Sequence, residues 1–198
     1  MYQIRLHGRG GQGVVTAAEL VAWAAIADGR YALAFPSFGS ERTGAPVEAY
    51  CRIDDKPIRS REPVTEPDLV VVLDPTLLGQ RFVFNGIKSD GTALINLPVA
   101  ASSATGTGTG LAPRAAHVRT VPATEFARQR TGRPLPNAAM LGAVAAATGI
   151  VPLAAVRDAI AARFPRTIAE ANAAAATDAF EYLRFAAHAA SEVHRVHT

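Results

Sequence analysis

The sequence predicts a three-layer, Rossmann-like α/β fold: a mostly parallel sheet with helices on both faces and a helical C-terminal region from about residue 137. Three observations point there. Apolar segments of strand length alternate with stretches of helical periodicity, a glycine cluster separates the first strand from the first helix, and Leu69 to Leu73 is a continuous aliphatic run of the kind buried on both faces of a parallel sheet. The chain has 198 residues, 49% of them hydrophobic. That length buries roughly two thirds of the unfolded surface, so one domain over the whole chain is expected.

Taken in order, Tyr2 to His7 alternates polar and apolar residues as a strand, and Val14 to Ala27 carries apolar residues at helical spacing until Gly29 can end it. Tyr31 to Phe35 and Pro46 to Ile53 read as the next two strands, the latter with Val47, Ala49, Cys51 and Ile53 on one face. Asp54 to Pro57 reads as a turn. After the strand at Leu69, Thr76 to Phe82 suits a short helix, and Thr92 to Asn96 a further strand. Residues 100–110 are almost wholly Ala, Ser, Thr and Gly, the composition of a loop that serves as a linker or closes over a ligand. Ala116 to Val121 returns as a strand. Beyond it, Asn137 can cap a helix over Ala138 to Thr148, Pro152 can open a second, Pro165 stops that one after Phe164, and Thr167 with Glu170 has capping-box spacing for a third.

Composition excludes several function classes. The formal net charge of +3 comes from scattered arginines, with neither the basic stripe nor the interleaved aromatics of a nucleic-acid surface. The single cysteine, Cys51, can form no internal disulfide and no cysteine cluster, and its place in an alternating strand reads as a small buried hydrophobe in a reducing, cytoplasmic setting. The five histidines show no zinc-site spacing, so no metal ligand is assigned. No leader and no membrane-spanning run is expected.

The chemistry-bearing candidate lies between the first strand and the first helix: His7-Gly8-Arg9-Gly10-Gly11-Gln12-Gly13. Gly8, Gly10 and Gly13 satisfy G-x-G-x-x-G, and such glycines let backbone N–H groups approach an anion at the positive end of a helix. A dinucleotide site also needs a carboxylate at the end of the second strand, and that strand ends in Phe35-Pro36-Ser37. Asp28 has the right offset but sits at the end of the helix. No Lys-Ser or Lys-Thr follows the last glycine, so this is no Walker A loop. The next segment, Phe35 to Val47, fixes turns with two prolines and two glycines around Glu41 and Arg42. Two readings stand for it: a surface loop whose Glu41 and Arg42 are solvated or pair locally, or a loop beside the glycine turn, at the carboxyl ends of adjacent strands, so that both line one crevice.

The pairing of Gly8-Arg9-Gly10-Gly11-Gln12-Gly13 with Phe35-Pro36-Ser37-Phe38-Gly39-Ser40-Glu41-Arg42-Thr43-Gly44-Ala45-Pro46-Val47 resembles the gamma subunit, or equivalent domain, of the pyruvate:ferredoxin oxidoreductase family. Asp54 to Ile58, Asp74 to Leu78 and Asn137 to Ala143 match as well, in the same order, and Thr43 departs from the family pattern. The resemblance implies a complex that oxidatively decarboxylates a 2-oxoacid on thiamine diphosphate with Mg, passes electrons to 4Fe-4S clusters and releases an acyl-coenzyme A. It implies that alpha, beta and ferredoxin-like iron–sulfur subunits carry those groups, and that this chain binds none alone and contributes no catalytic residue. Arg9, Gly10, Gly11, Gln12, Gly13, Ser37 and Arg42 are the candidate cofactor-binding residues, facing coenzyme A. The alternative at the same loop is structural, with the glycines packing the helix and Glu41 and Arg42 keyed into a partner. A nucleotide-binding Rossmann-type dehydrogenase and a stand-alone binding module are the competing classes.

Overall fold

A computed structural model describes residues 1–37, 44–99, 112, 115 and 117–196, the last ten as backbone only. Six strands, β1 (Tyr2–Arg9), β2 (Tyr31–Pro36), β3 (Pro46–Asp54), β4 (Leu69–Val72), β5 (Thr92–Asn96) and β6 (His117–Val121), form one sheet in the order β2-β3-β1-β4-β5-β6. β1, β4, β5 and β6 run parallel, whereas β3 is antiparallel to both β1 and β2. The four residues of β4 are all buried, as an uninterrupted aliphatic run in a central parallel strand should be.

Five α-helices accompany the sheet: α1 (Val14–Ala27), α2 (Ala123–Thr131), α3 (Asn137–Thr148), α4 (Leu153–Arg163) and α5 (Arg166–Val196). All five supply residues to one core cluster, which packs on Ile4 and Leu6 of β1, Leu69 and Val71 of β4 and Leu94 of β5. The opposite face carries a second cluster of Val70, Val72, Ala93 and Ile95, covered by Leu77, Val83, Phe84 and Ile87. Three layers are therefore present, but the third differs from the expected helical cover. Among the described residues it is a 3-10 turn at Pro75–Leu77 followed by successive turns to residue 91. The expected short helix at Thr76 to Phe82 is that turn run, because Pro75 opens a tight turn under the Asp74 cap and each later bond spans three residues.

Two helix starts also differ. Asn137 is the first residue of α3 rather than its cap, and Pro136 precedes it without a side-chain cap. α5 begins at Arg166, whose guanidinium pairs with Glu170 at 2.9 Å, so Thr167 lies inside the helix. α2 starts before residue 137, ahead of the expected helical part. The Ala, Ser, Thr and Gly stretch at 100–110 lies outside the described residues.

Candidate functional site: the glycine turn at the end of β1

β1 ends at Arg9, and the chain reverses into α1 over four residues. Gly11 and Gly13 hold φ of 95° and 74°, a left-handed conformation that a side chain would strain. Gly13 is also crowded, since a Cβ there would meet Asn137 Nδ2 at 2.5 Å. Gly8 faces the helix side, where a Cβ would meet Val14 at 2.6 Å. These contacts explain two of the glycines, Gly8 and Gly13, which let α1 and α3 close onto the sheet, whereas Gly11 is required by its left-handed φ and has open space around it.

A polar clasp locks the turn. Gln12 accepts at Oε1 from Arg9 N (2.8 Å) and donates from Nε2 to Asp74 Oδ2 (2.7 Å). Asp74 Oδ1 accepts from Thr76 N (2.9 Å) and from Thr76 Oγ1 (2.6 Å). Arg9 reaches Thr76 Oγ1 through Nε (3.0 Å) and Nη2 (2.7 Å), donates from Nη1 to Gly44 O (3.0 Å) and lies 3.5 Å from Asp74. Burial opposes ionisation of Asp74, but the two Thr76 bonds, Gln12 and the Arg9 charge together hold its carboxyl below the usual range.

The second loop meets the first at its base. Gly10 N donates to Ala45 O (2.9 Å) and Gly44 N to Gly10 O (3.2 Å), while Ser37 N donates to Glu48 O (2.9 Å). The two loops leave the same end of the sheet, but not from adjacent strands: β3 lies between β1 and β2, and its first residue pairs with Arg9. Of the expected site residues, the structure brings together Arg9, Gly10, Gly11, Gln12 and Gly13, with Ser37 at the foot of the second loop. Arg42 and Glu41 lie outside the described residues.

A second polar group escaped sequence reading. Arg5 and His7 alternate with core residues on β1 and so pass for a solvent face, yet they are 5% and 1% exposed, beneath the third layer. Arg5 donates to Val64 O (3.1 Å), Val83 O (3.1 Å) and Asn85 O (2.5 Å), and sits 3.4 Å from Glu48. Burial first, and the Arg5 charge second, push His7 down to about 3, against a hydrogen bond to Val83 that favours the proton. His7 is therefore neutral, accepts at Nε2 from Arg5 Nε (3.2 Å), and forms no ion pair with Glu48 at 3.9 Å. Burial pushes Glu48 up, with Arg5 and Tyr50 working against it. The available signal was a basic residue beside histidine in a first strand otherwise built for the core.

No group of three or more His, Cys, Asp or Glu stands together among the described residues. Cys51 is fully buried, and burial pushes its thiol up to about 12. One thiol held protonated does not fit iron–sulfur ligation, which takes several thiolates. No helix among the described residues is long and apolar enough to cross a membrane. An open groove of about 890 Å³ lies elsewhere, over alanines of α4 and α5 and rimmed by Arg130, Arg157, Asp158, Arg166, Glu170 and Asp178. It includes no residue of the glycine turn, and Arg130 there is bound by Asp178 at 2.7 and 2.8 Å.

This fold with a glycine turn clasped to the end of β4 defines a class: the chain belongs to the pyruvate ferredoxin/flavodoxin oxidoreductase family, whose model matches residues 3–182. The resemblance read from the two loops holds along nearly the whole chain. Pyruvate synthase subunit PorC of Methanothermobacter marburgensis is 47% identical over 184 residues, 93% of this chain and 98% of that one. The common subunit gamma of the pyruvate/ketoisovalerate oxidoreductases of Thermococcus kodakarensis is 47% identical over 180 residues, covering 91% and 96%. The crystal structure of pyruvate oxidoreductase subunit PORC from Thermotoga maritima superposes with a TM-score of 0.74 at 37% identity, over 91% of this chain and 95% of that one. A 2-oxoglutarate:ferredoxin oxidoreductase from Magnetococcus marinus, solved with 2-oxoglutarate, coenzyme A and succinyl-CoA bound, shares the fold at 17% identity, with a TM-score of 0.73 over 93% of this chain and 31% of that one.

Proposed function

We infer that this chain is the gamma subunit of a cytoplasmic, multi-subunit 2-oxoacid:ferredoxin oxidoreductase. The observation that carries the reading is end-to-end correspondence with free-standing gamma subunits, 47% identical over 98% of one relative's length. In such a complex, thiamine diphosphate with Mg and 4Fe-4S clusters on alpha, beta and ferredoxin-like subunits supply the decarboxylation and electron transfer, which end in an acyl-coenzyme A. The 2-oxoacid is pyruvate-like, branched or aromatic.

This chain's own part is to hold a surface. All three guanidinium nitrogens of Arg9 and both ends of the Gln12 amide are bonded within the protein, which supports a role for these two in fixing the turn. Gly11 is exposed at its crest, and with Gly10, Gly13, Ser37 and Arg42 it forms the face toward coenzyme A. Affinity purification from native, oxygen-free extract tests the assignment. Recovery of brown, thiamine-dependent subunits with 2-oxoacid- and coenzyme A-dependent reduction of ferredoxin is expected; a lone colourless protein sinks it. Arg42→Ala then separates the two roles of the second loop. A raised KM for coenzyme A with intact assembly places Arg42 at the ligand, and loss of the complex places it at a subunit interface.

A further inference from the structure

The two edges of the sheet are not alike. β6 closes one side with exposed His117 and Arg119, the kind of polar side chain that keeps an edge from pairing. β2 closes the other with Tyr-Ala-Leu-Ala-Phe-Pro, which carries no charge. The ladder fixes which of its backbone groups are open. Ser37 N donates to Glu48 O, in register with Phe35 opposite Tyr50 and Leu33 opposite Arg52, so Tyr31, Leu33 and Phe35 turn their N–H and C=O groups toward β3. Ala32 and Ala34 turn theirs away from it, and no described residue meets them. The open stretch stops sharply at both ends. Pro36 has no N–H, and Arg30 N is already bonded to Ala25 O at 3.0 Å.

What remains at the edge, the N–H and C=O of Ala32 and of Ala34, is its own complement. A second β2 laid antiparallel, with its Ala34 opposite Ala32 and its Leu33 opposite Leu33 on a two-fold axis, satisfies the open N–H groups of both copies at once. Further out, Arg30 would face Pro36, and the ladder ends there. The flanks suit the same register. Tyr31, 50% exposed, shares a face with Leu33 and Phe35 and would lie opposite Phe35 of the second copy, an aromatic cross-strand pair. On the other face α1 packs on both β2 and β3. Two copies of α1 would therefore lie about two strand spacings, roughly 10 Å, apart, the distance of packed helices. Trp23 and Ile26, three residues apart on the outer side of α1, are 42% and 53% exposed. A foreign strand would find only two residues to bond, whereas a copy brings the matching donors and the matching aromatic. We propose that β2 is a self-association edge, through which two copies of this chain pair antiparallel and join their six-stranded sheets into one. Such pairing does not depend on the enzyme to which the chain belongs.

The test uses the full-length chain with single added cysteines, the native Cys51 being buried. Under mild oxidation Leu33→Cys should form a disulfide between two chains, because position 33 meets itself on the axis, where Cα atoms of a non-hydrogen-bonded pair lie about 4.5 Å apart. Tyr31→Cys, which meets Phe35, should not. Sedimentation equilibrium should show a concentration-dependent dimer, its Kd raised roughly tenfold by Ala34→Pro, which removes two of the four interchain hydrogen bonds and none of those to β3. Exchange of the Ala32 and Ala34 amides should slow as the dilute monomer associates. A wild-type chain that stays monomeric overturns the proposal, as does a dimer that Ala34→Pro leaves unchanged or in which both cysteine variants cross-link equally. Protection of these amides only when another subunit is added gives the edge to that subunit and overturns self-pairing. Should Ala34→Pro fail to fold, the contrast between Leu33→Cys and Tyr31→Cys decides.

Discussion

Arg5 ties the carbonyls of Val83 and Asn85 in the third layer, and that of Val64, to the first strand. Arg5→Leu keeps the apolar stem but leaves the carbonyls of Val64, Val83 and Asn85 without their donor and Glu48 without its cation. A loss of about 3 kcal/mol is expected, read by urea unfolding. His7 beside it carries a pH signature. Its folded pKa, about 3, lies below the 6.5 of a free histidine. The unfolded chain therefore takes up a proton that the folded chain refuses, so its contribution is complete above about pH 6.5 and is lost as pH falls toward 3, by about 1.4 kcal/mol per pH unit. Glu48, pushed up, titrates inside the same window, whereas Asp74, held down, meets only its acid end. The difference between wild type and His7→Gln from pH 7 to 4 isolates the histidine, and parallel curves would show that His7 is not held neutral.

At the scale of elements, close approach decides which glycines matter. A Cβ on Gly142 would fall on the Ala176 carbonyl, where α3 and α5 touch through their backbones. Gly142→Ala should force those helices apart at about 3 kcal/mol. Gly149, the left-handed C-cap of α3, has open space around it, so Gly149→Ala should cost only about 1 kcal/mol of backbone strain. Thermal unfolding of the two variants checks the order. The same contrast marks what the sequence could reveal. β1, the glycine turn and α1 were legible because alternation, glycine spacing and helical periodicity are local signals, and α1 begins and ends where they place it. α2 was not, because only Ala123 and Ala127 of its nine residues are buried, leaving almost no apolar period. The insertion of β3 between β1 and β2 was invisible too, since strand neighbours are chosen by long-range pairing. The clasp of Gln12 with Asp74 spans 62 positions, and spacing rules do not reach that far.

Over the whole molecule, burial is uneven, and stability should follow it. β1 and β4 are each paired on both sides and buried on both faces, β4 between the two clusters and β1 between the larger cluster and the buried Arg5 and His7, whereas β2 and β6 have a partner on one side only. Native-state hydrogen exchange should place the slowest amides in β1 and β4 and faster ones along β2 and β6. Equal protection at the edges would mean that the isolated chain already pairs with another copy or partner there.

Cys51 gives the molecule an experimental use. Because the sole native sulfhydryl is sealed inside the sheet and held protonated, the folded chain offers nothing to a maleimide. A cysteine placed on the outside, as in Arg157→Cys, would be the one position to accept a nitroxide or fluorophore, with a single equivalent incorporated against none for the parent. Spacings between this subunit and its companions could then be mapped in anaerobic solution without first removing any natural residue.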